Sequence, residues 1–210
     1  MENKRGKFIT VEGCEGAGKS TQIHLLRLYC MQNGIDAVFT REPGGTPIAE
    51  KIRGVILDAE NAGMDSLTEL FLYAAARRQH TAELIAPALQ TGQTVFCDRY
   101  TDSTLAYQGY GRGINKSIIQ KLNSFAMAGV KIDCTVFMDI TPRDGFLRKG
   151  GKDTNDRLEN ESLEFHERVY RGFKAIGQAD PERFLSVCAD GTQAEIHERV
   201  INALKNKGVF

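Results

Sequence analysis

The chain has 210 residues, 41% hydrophobic and 26% charged, and its 27 basic and 27 acidic side chains cancel. That composition describes one globular domain with a sizeable core, and a zero net charge argues against a general nucleic-acid binder, which carries a basic excess. No apolar run approaches the ~18 residues that span a bilayer, the start Met1-Glu2-Asn3-Lys4-Arg5 has no signal-peptide core, and five widely spaced cysteines without a CxxC pair read as reduced, intracellular thiols.

Phe8–Val11 is the first predicted strand, and it runs into Gly13-Cys14-Glu15-Gly16-Ala17-Gly18-Lys19-Ser20-Thr21. This is GxxxxGK[ST] between a strand and a helix, the context that a phosphate-binding P-loop requires. Its glycines let successive N–H groups turn inward around an anion, and the following helix adds its positive end. Lys19 suits the β- and γ-phosphates, and the Ser20 hydroxyl suits a magnesium ion. A helix over Thr21 to about Asn33 ends at Gly34, a plausible residue to stop it.

Ala37–Thr40 is the second strand, followed by Thr40-Arg41-Glu42-Pro43-Gly44-Gly45-Thr46-Pro47, a tight loop by its Pro and Gly content. Arg53 follows on a short helix. A long helix is predicted from Ser66 to about Gln90, with a capping box at Ser66-Leu67-Thr68-Glu69 and an apolar stripe of Leu67, Leu70, Phe71, Ala74, Thr81 and Ile85. Tyr73 and Arg77 stand at i and i+4 and share a face. A ring beside a guanidinium suits a nucleotide monophosphate, or is a surface pair.

Thr94–Cys97, Thr135–Met138 and Phe184–Val187 are the remaining strands, and Asn115–Ala128, Glu161 to about Ile176 and Thr192 to about Lys205 the remaining helices. Continuously apolar strands alternating with helices predict one α/β domain over residues 1–210, a doubly wound five-stranded parallel sheet of P-loop NTPase type flanked by helices. Ligands on such sheets bind where strands end. After strand three comes Asp98-Arg99-Tyr100-Thr101-Asp102-Ser103-Thr104-Leu105-Ala106-Tyr107-Gln108-Gly109, whose hydroxyls and amide suit a base edge and a ribose. Asp98 suits magnesium through water. The four isolated histidines lack metal-binding spacing and read as structural.

A GTPase would carry DxxG and NKxD, and neither occurs. A motor ATPase would carry an acidic pair at the end of strand three, where a single aspartate precedes Arg99. A small-molecule kinase fits best. The alternatives are a kinase for another nucleotide or nucleoside on the same scaffold, and a regulatory ATP-binding module.

The segments Phe8–Thr21, Thr40–Thr46, Tyr73–His80 and Asp98–Gly113, with Asp156-Arg157-Leu158-Glu159-Asn160-Glu161-Ser162-Leu163-Glu164-Phe165, together resemble bacterial thymidylate kinases. The resemblance implies phosphorylation of dTMP to dTDP with MgATP, a homodimer and a cytoplasmic location. It implies that Tyr73 stacks on thymine and that Arg53 and Arg77 hold the dTMP phosphate. Arg99 would lie near both phosphates, Thr104 and Gln108 by the base edge, and Tyr107 against the deoxyribose. Glu15 matches an acidic residue that orders the acceptor or the metal's water, and Glu42-Pro43 a loop often holding a cis bond. Residues 143–157, with Arg143, Arg148, Gly150, Gly151, Lys149, Lys152 and Arg157, match the lid. The P-loop has no arginine, so the resemblance places the catalytic cation in the lid, with Arg148 first and Arg157 second. The cleft is expected to be positive, with acidic residues other than Glu15, Glu42 and Asp98 largely elsewhere.

Overall fold

A computed structural model describes residues 5–151, 153 and 155–210. Five parallel strands, β1 (Phe8–Glu12), β2 (Ala37–Arg41), β3 (Thr94–Asp98), β4 (Cys134–Asp139) and β5 (Phe184–Cys188), form one sheet in the order β2-β3-β1-β4-β5. The central strands are buried along their length because helices cover both faces, which is why they read as unbroken apolar runs. Each strand extends to a residue beyond the apolar run: Glu12, Arg41, Asp98, Asp139 and Cys188.

Helices α1 (Lys19–Gln32), α2 (Pro47–Leu57), α3 (Ser66–His80), α4 (Ala86–Gln90), α5 (Thr101–Thr104), α6 (Lys116–Met127), α7 (Pro142–Lys149), α8 (Leu163–Ala179) and α9 (Gln193–Asn206) surround the sheet. One apolar core packs α1 and α9 on β1, β3 and β4. A second packs α8 against β4 and the π-turn Leu105–Gly111.

Three expectations change here. The long helix is interrupted by a π-turn, Thr81–Ile85, before α4. Pro87 is the cause: it has no N–H to donate and its ring crowds the preceding turn. The N-cap of α3 is Asp65, whose carboxylate accepts from Leu67 N at 3.0 Å and Thr68 N at 3.1 Å, so Ser66 and Glu69 form no capping box. The stripe also fails at two positions, since Leu67 and Phe71 are 45% and 57% exposed. The inward face of α3 instead carries Glu69, Arg77 and His80 with Leu70 and Ala76. Periodicity counts apolar side chains, and this face is held by charge pairs.

The first half of residues 143–157, the segment expected to be a lid, is helical, as α7, and ends at Gly150 in the left-handed conformation that a helix stop favours. Lys152 lies outside the described residues. The base of α7 touches the P-loop. A Cβ added at Gly16 would lie 1.9 Å from the Gly145 carbonyl oxygen, and one added at Gly145 would lie 2.2 Å from the Glu15 carbonyl oxygen. Backbone meets backbone there, which only glycine permits.

Candidate active site

The P-loop leaves β1 at Gly13 and enters α1 at Lys19, with Gly13, Gly16 and Gly18 at φ values of 150°, 70° and 85°. Lys19 is 7% exposed and folds back, its Nζ donating to the carbonyls of Gly13 at 3.1 Å and Cys14 at 2.9 Å. Burial, and then Arg99, push its ammonium below its ordinary range. The Cys14 thiol is buried and pushed up to about 12 by desolvation, so it stays protonated. Ser20 is exposed at the cleft. Asp98 also lines it, and its Oδ1 is buried without a hydrogen-bond partner among the described residues. A buried carboxylate oxygen left without a donor fits a metal or its water.

One cleft at the carboxyl ends of β1, β2 and β3 gathers the predicted acceptor residues: Glu15, Glu42, Pro43, Arg53, Tyr73, Arg77, Arg99, Thr104, Tyr107 and Gln108 all line it. The Glu42–Pro43 bond is cis. Arg53 Nη1 donates to the Pro43 carbonyl at 2.8 Å. Burial, and then Arg41, hold its guanidinium below its ordinary range, which marks two neighbouring cations. Arg77 is 1% exposed, with Nε on Glu42 Oε2 at 2.7 Å and Nη1 on Thr104 Oγ1 at 2.9 Å and Asn123 Oδ1 at 2.7 Å. This sets Arg77 in the buried wall beside Thr104, with its guanidinium engaged by Glu42, Thr104 and Asn123, whereas the resemblance implied a phosphate ligand. His80 has the structural role expected of it: Nδ1 faces Glu42 Oε1 at 3.0 Å and Nε2 faces Thr40 Oγ1 at 2.7 Å.

Arg99 is the hub of the P-loop end of the cleft. It is a non-glycine residue at φ 66°, and its guanidinium donates to the Gly13 carbonyl at 2.9 Å, to Ser103 Oγ at 3.2 Å and to Glu15. Its carbon Cζ sits 5.2 Å from the centre of the Tyr107 ring, and Tyr107 donates its hydroxyl to Glu15 Oε1 at 3.2 Å. Burial opposes ionisation of Glu15, but Arg99 and Lys19 outweigh it and hold the carboxyl down at about 2.

The two lid cations singled out from the sequence are elsewhere. Arg148 donates to the Ala189 carbonyl at 2.8 Å and lies 3.7 Å from Asp190, beyond β5. Arg157 is 6% exposed, with Nε on the Ile56 carbonyl at 2.9 Å. Its Nη2 lies 2.6 Å from Glu69 Oε2, an ion pair whose N–H directions are poor for a hydrogen bond. It is a strut between the segment after α7 and the α2–α3 pair. Lys149, in the last turn of α7, pairs with the cleft-lining Glu159 at 2.5 Å, and its charge reaches Glu15.

Sequence reading missed several groups. Glu69 was assigned to a cap, and it is fully buried, accepting from Gln108 Nε2 at 2.8 Å and from Arg112. Asp156 and Glu159 line the cleft as well, so five cationic and five acidic side chains face it. The expected positive cleft is therefore formally balanced. Guanidiniums gathered in a partly dry site need counter-charges before any ligand arrives, and no single-residue signal announces that pairing.

The thymidylate kinase family model matches residues 11–200. The thymidylate kinase of Desulforapulum autotrophicum is 46% identical over 95% of this chain and 91% of its own length. That of Desulfosudis oleivorans is 47% identical over 94% and 96%. The crystal structure of thymidylate kinase from Ehrlichia chaffeensis superposes with a TM-score of 0.79 at 36% identity, covering 95% of this chain and 99% of that one.

Proposed function

Because the chain belongs to the thymidylate kinase family, and so phosphorylates dTMP, we propose that its cleft brings the dTMP phosphate to the γ-phosphate of ATP held on the P-loop. One observation carries this: the ten residues assigned to the acceptor line a single cleft that also holds Lys19, Ser20 and Asp98. A dTMP phosphate is already an anion near neutral pH, so it attacks in line without a strong base. The barrier is repulsion between two anions, and catalysis is positioning plus charge neutralisation.

In this reading Arg53 takes the acceptor phosphate, Arg99 bridges acceptor and transferring phosphoryl group, and Lys19 leaves its P-loop carbonyls for the β- and γ-phosphates. Tyr73 stacks on the base, Arg77, Thr104 and Gln108 face its edge, and Tyr107 lies along the deoxyribose. Lys149, released from Glu159, brings lid charge to the donor, with Arg148 on the outer side. Ser20 and Asp98 would hold magnesium, which when bound neutralises charge on the donor phosphates. The domain is read as one unit working in the cytoplasm. Among the described residues no helix is long and apolar enough to cross a membrane.

The function is tested by a coupled assay with MgATP and dTMP, dUMP, dCMP, AMP, GMP and thymidine. dTMP is expected to be turned over in preference to all others, and equal turnover of another acceptor would overturn the assignment.

A homodimer is part of the proposal. Ile48 and Val55 on α2, Leu67 and Phe71 on α3, and Ile118 and Phe125 on α6 are between 43% and 80% exposed. α3 packs beside both α2 and α6, so these side chains mark neighbouring outward faces, and apolar groups in water want cover. Sedimentation should give twice the chain mass of 23.3 kDa for the natural protein and the single mass for Phe71→Glu. A monomeric natural protein would remove the dimer from the proposal.

A further inference from the structure

Glu12 ends β1, immediately before the first P-loop glycine, and is fully buried. Two donors converge on it. The Tyr100 backbone N–H reaches Oε1 at 2.7 Å, and the Ser103 hydroxyl reaches Oε2 at 2.5 Å. Both belong to the frame of Arg99. Tyr100 is the next residue in the chain, and Ser103 Oγ is the atom that accepts from Arg99 Nη1 at 3.2 Å. Arg99 needs such a frame, because its φ of 66° is a conformation that side-chain-bearing residues occupy at a cost. Its own N–H is held by the Val11 carbonyl at 3.0 Å, one residue before Glu12.

We propose that Glu12 is a positioning residue for Arg99: one carboxylate oxygen pins the main chain that carries the arginine, and the other pins the hydroxyl that aims its guanidinium. The proposal rests on the reading of Arg99 as the bridging cation.

The proton count gives the arrangement a direction. A serine hydroxyl has one hydrogen. Given to Glu12, it leaves oxygen lone pairs for Arg99, which can only donate. The chain Arg99 to Ser103 to Glu12 therefore holds while Glu12 is ionised. A protonated Glu12 donates to Ser103 instead, so the serine hydrogen loses the acceptor that fixed it, and the oxygen is no longer held with its lone pairs toward the guanidinium. The charged and titratable groups facing Glu12 are Arg99 from the turn after β3, Asp102 from α5 and the Cys97 thiol from β3. Burial first, and then Asp102, push the Glu12 carboxyl up to about 7 against the pull of Ser103, Arg99 and Tyr100.

The test is Glu12→Gln. The amide oxygen can still accept from Tyr100, but the amide nitrogen can only donate to Ser103, which reverses that bond and leaves the serine hydrogen without the acceptor that fixed it. With dTMP and MgATP, kcat is expected to fall about 10–100-fold, the effect of a misplaced catalytic group. The kcat of the natural protein should rise through a pH near 7, and this limb should vanish in the variant. Ionisation of the dTMP phosphate, near ~6, should stay visible in kcat/KM of both.

Stability should move the other way. Glu12 has its folded pKa raised above 4.5, so the stability it contributes is present below that value and lost as pH rises through about 7. The amide carries no charge to bury, so the variant should melt at or above the natural protein at about pH 8, with the gap closing toward about pH 5. A merely structural glutamate would lose activity and melting temperature together at every pH, and that result overturns the proposal. So does a variant with natural kcat and an unchanged profile. If Arg99→Ala keeps its turnover, the fault lies instead with the reading of Arg99.

Discussion

Arg99→Ala should leave a folded protein whose turnover of dTMP is down by about 10²–10³, equivalent to ~3–4 kcal/mol of transition-state stabilisation. The size follows from what the guanidinium does in the cleft. It touches the Gly13 carbonyl, the Ser103 hydroxyl and the Glu15 carboxylate, and it covers Tyr107. Removing it subtracts one positive charge from a balanced site and also releases Glu15, whose carboxyl it helps to hold at about 2. The donor and acceptor phosphates would then meet a carboxylate held only by the Tyr107 hydroxyl and the charge of the nearby lysines, where they had a cation. The fold should survive, because the Arg99 side chain is 17% exposed and Glu15 23%, so water can reach the residue left behind. Steady-state kinetics with a thermal melt decide it: near-normal turnover excludes Arg99 from the reaction.

Arg77→Met should act mainly on stability. Arg77 and Glu42 are 1% and 3% exposed, and the substitution keeps the volume while stranding a carboxylate in the interior. Breaking a buried pair by removing one partner costs ~3–5 kcal/mol, which for a domain of this size lowers the melting midpoint by on the order of 10 °C. His80 stays on the other oxygen of Glu42 at 3.0 Å and limits the loss. A calorimetric scan of both proteins measures it. A midpoint within about 2 °C of the natural protein would mean that Glu42 is neutralised another way.

These two arginines also show where sequence reading was strong and where it stopped. Local pattern points to both, Arg77 through its i, i+4 partner Tyr73 and Arg99 through its place after a strand, but it leaves a surface pair open for the first, and the roles of both come from the family resemblance. The P-loop was read complete, since glycine positions and a following helix leave few other structures. The strands were read one or two residues short because apolarity defined them, while Glu12, Arg41, Asp98 and Asp139 complete them with charge. Those charged ends are where the chemistry gathers, so the criterion that found the sheet stepped over Glu12. Partners far apart in sequence were harder. Nothing near Glu69 shows that Gln108 and Arg112 will converge on it, and nothing near Arg157 shows that it will brace α2 instead of reaching the cleft. Local pattern reports what a residue can do; the fold decides which of its possible partners it meets.

The contact between Gly16 and Gly145 has a mechanical meaning. Two main chains with no side chain between them leave no soft layer to absorb displacement. The phosphate loop and α7 then fit like two gears already in mesh. A side chain placed at either glycine would have to force the loop and the helix apart, because a Cβ there would lie within 2.2 Å of a carbonyl oxygen of the other chain segment. The shape of one is thus a boundary condition on the other, and neither surface can be redrawn alone.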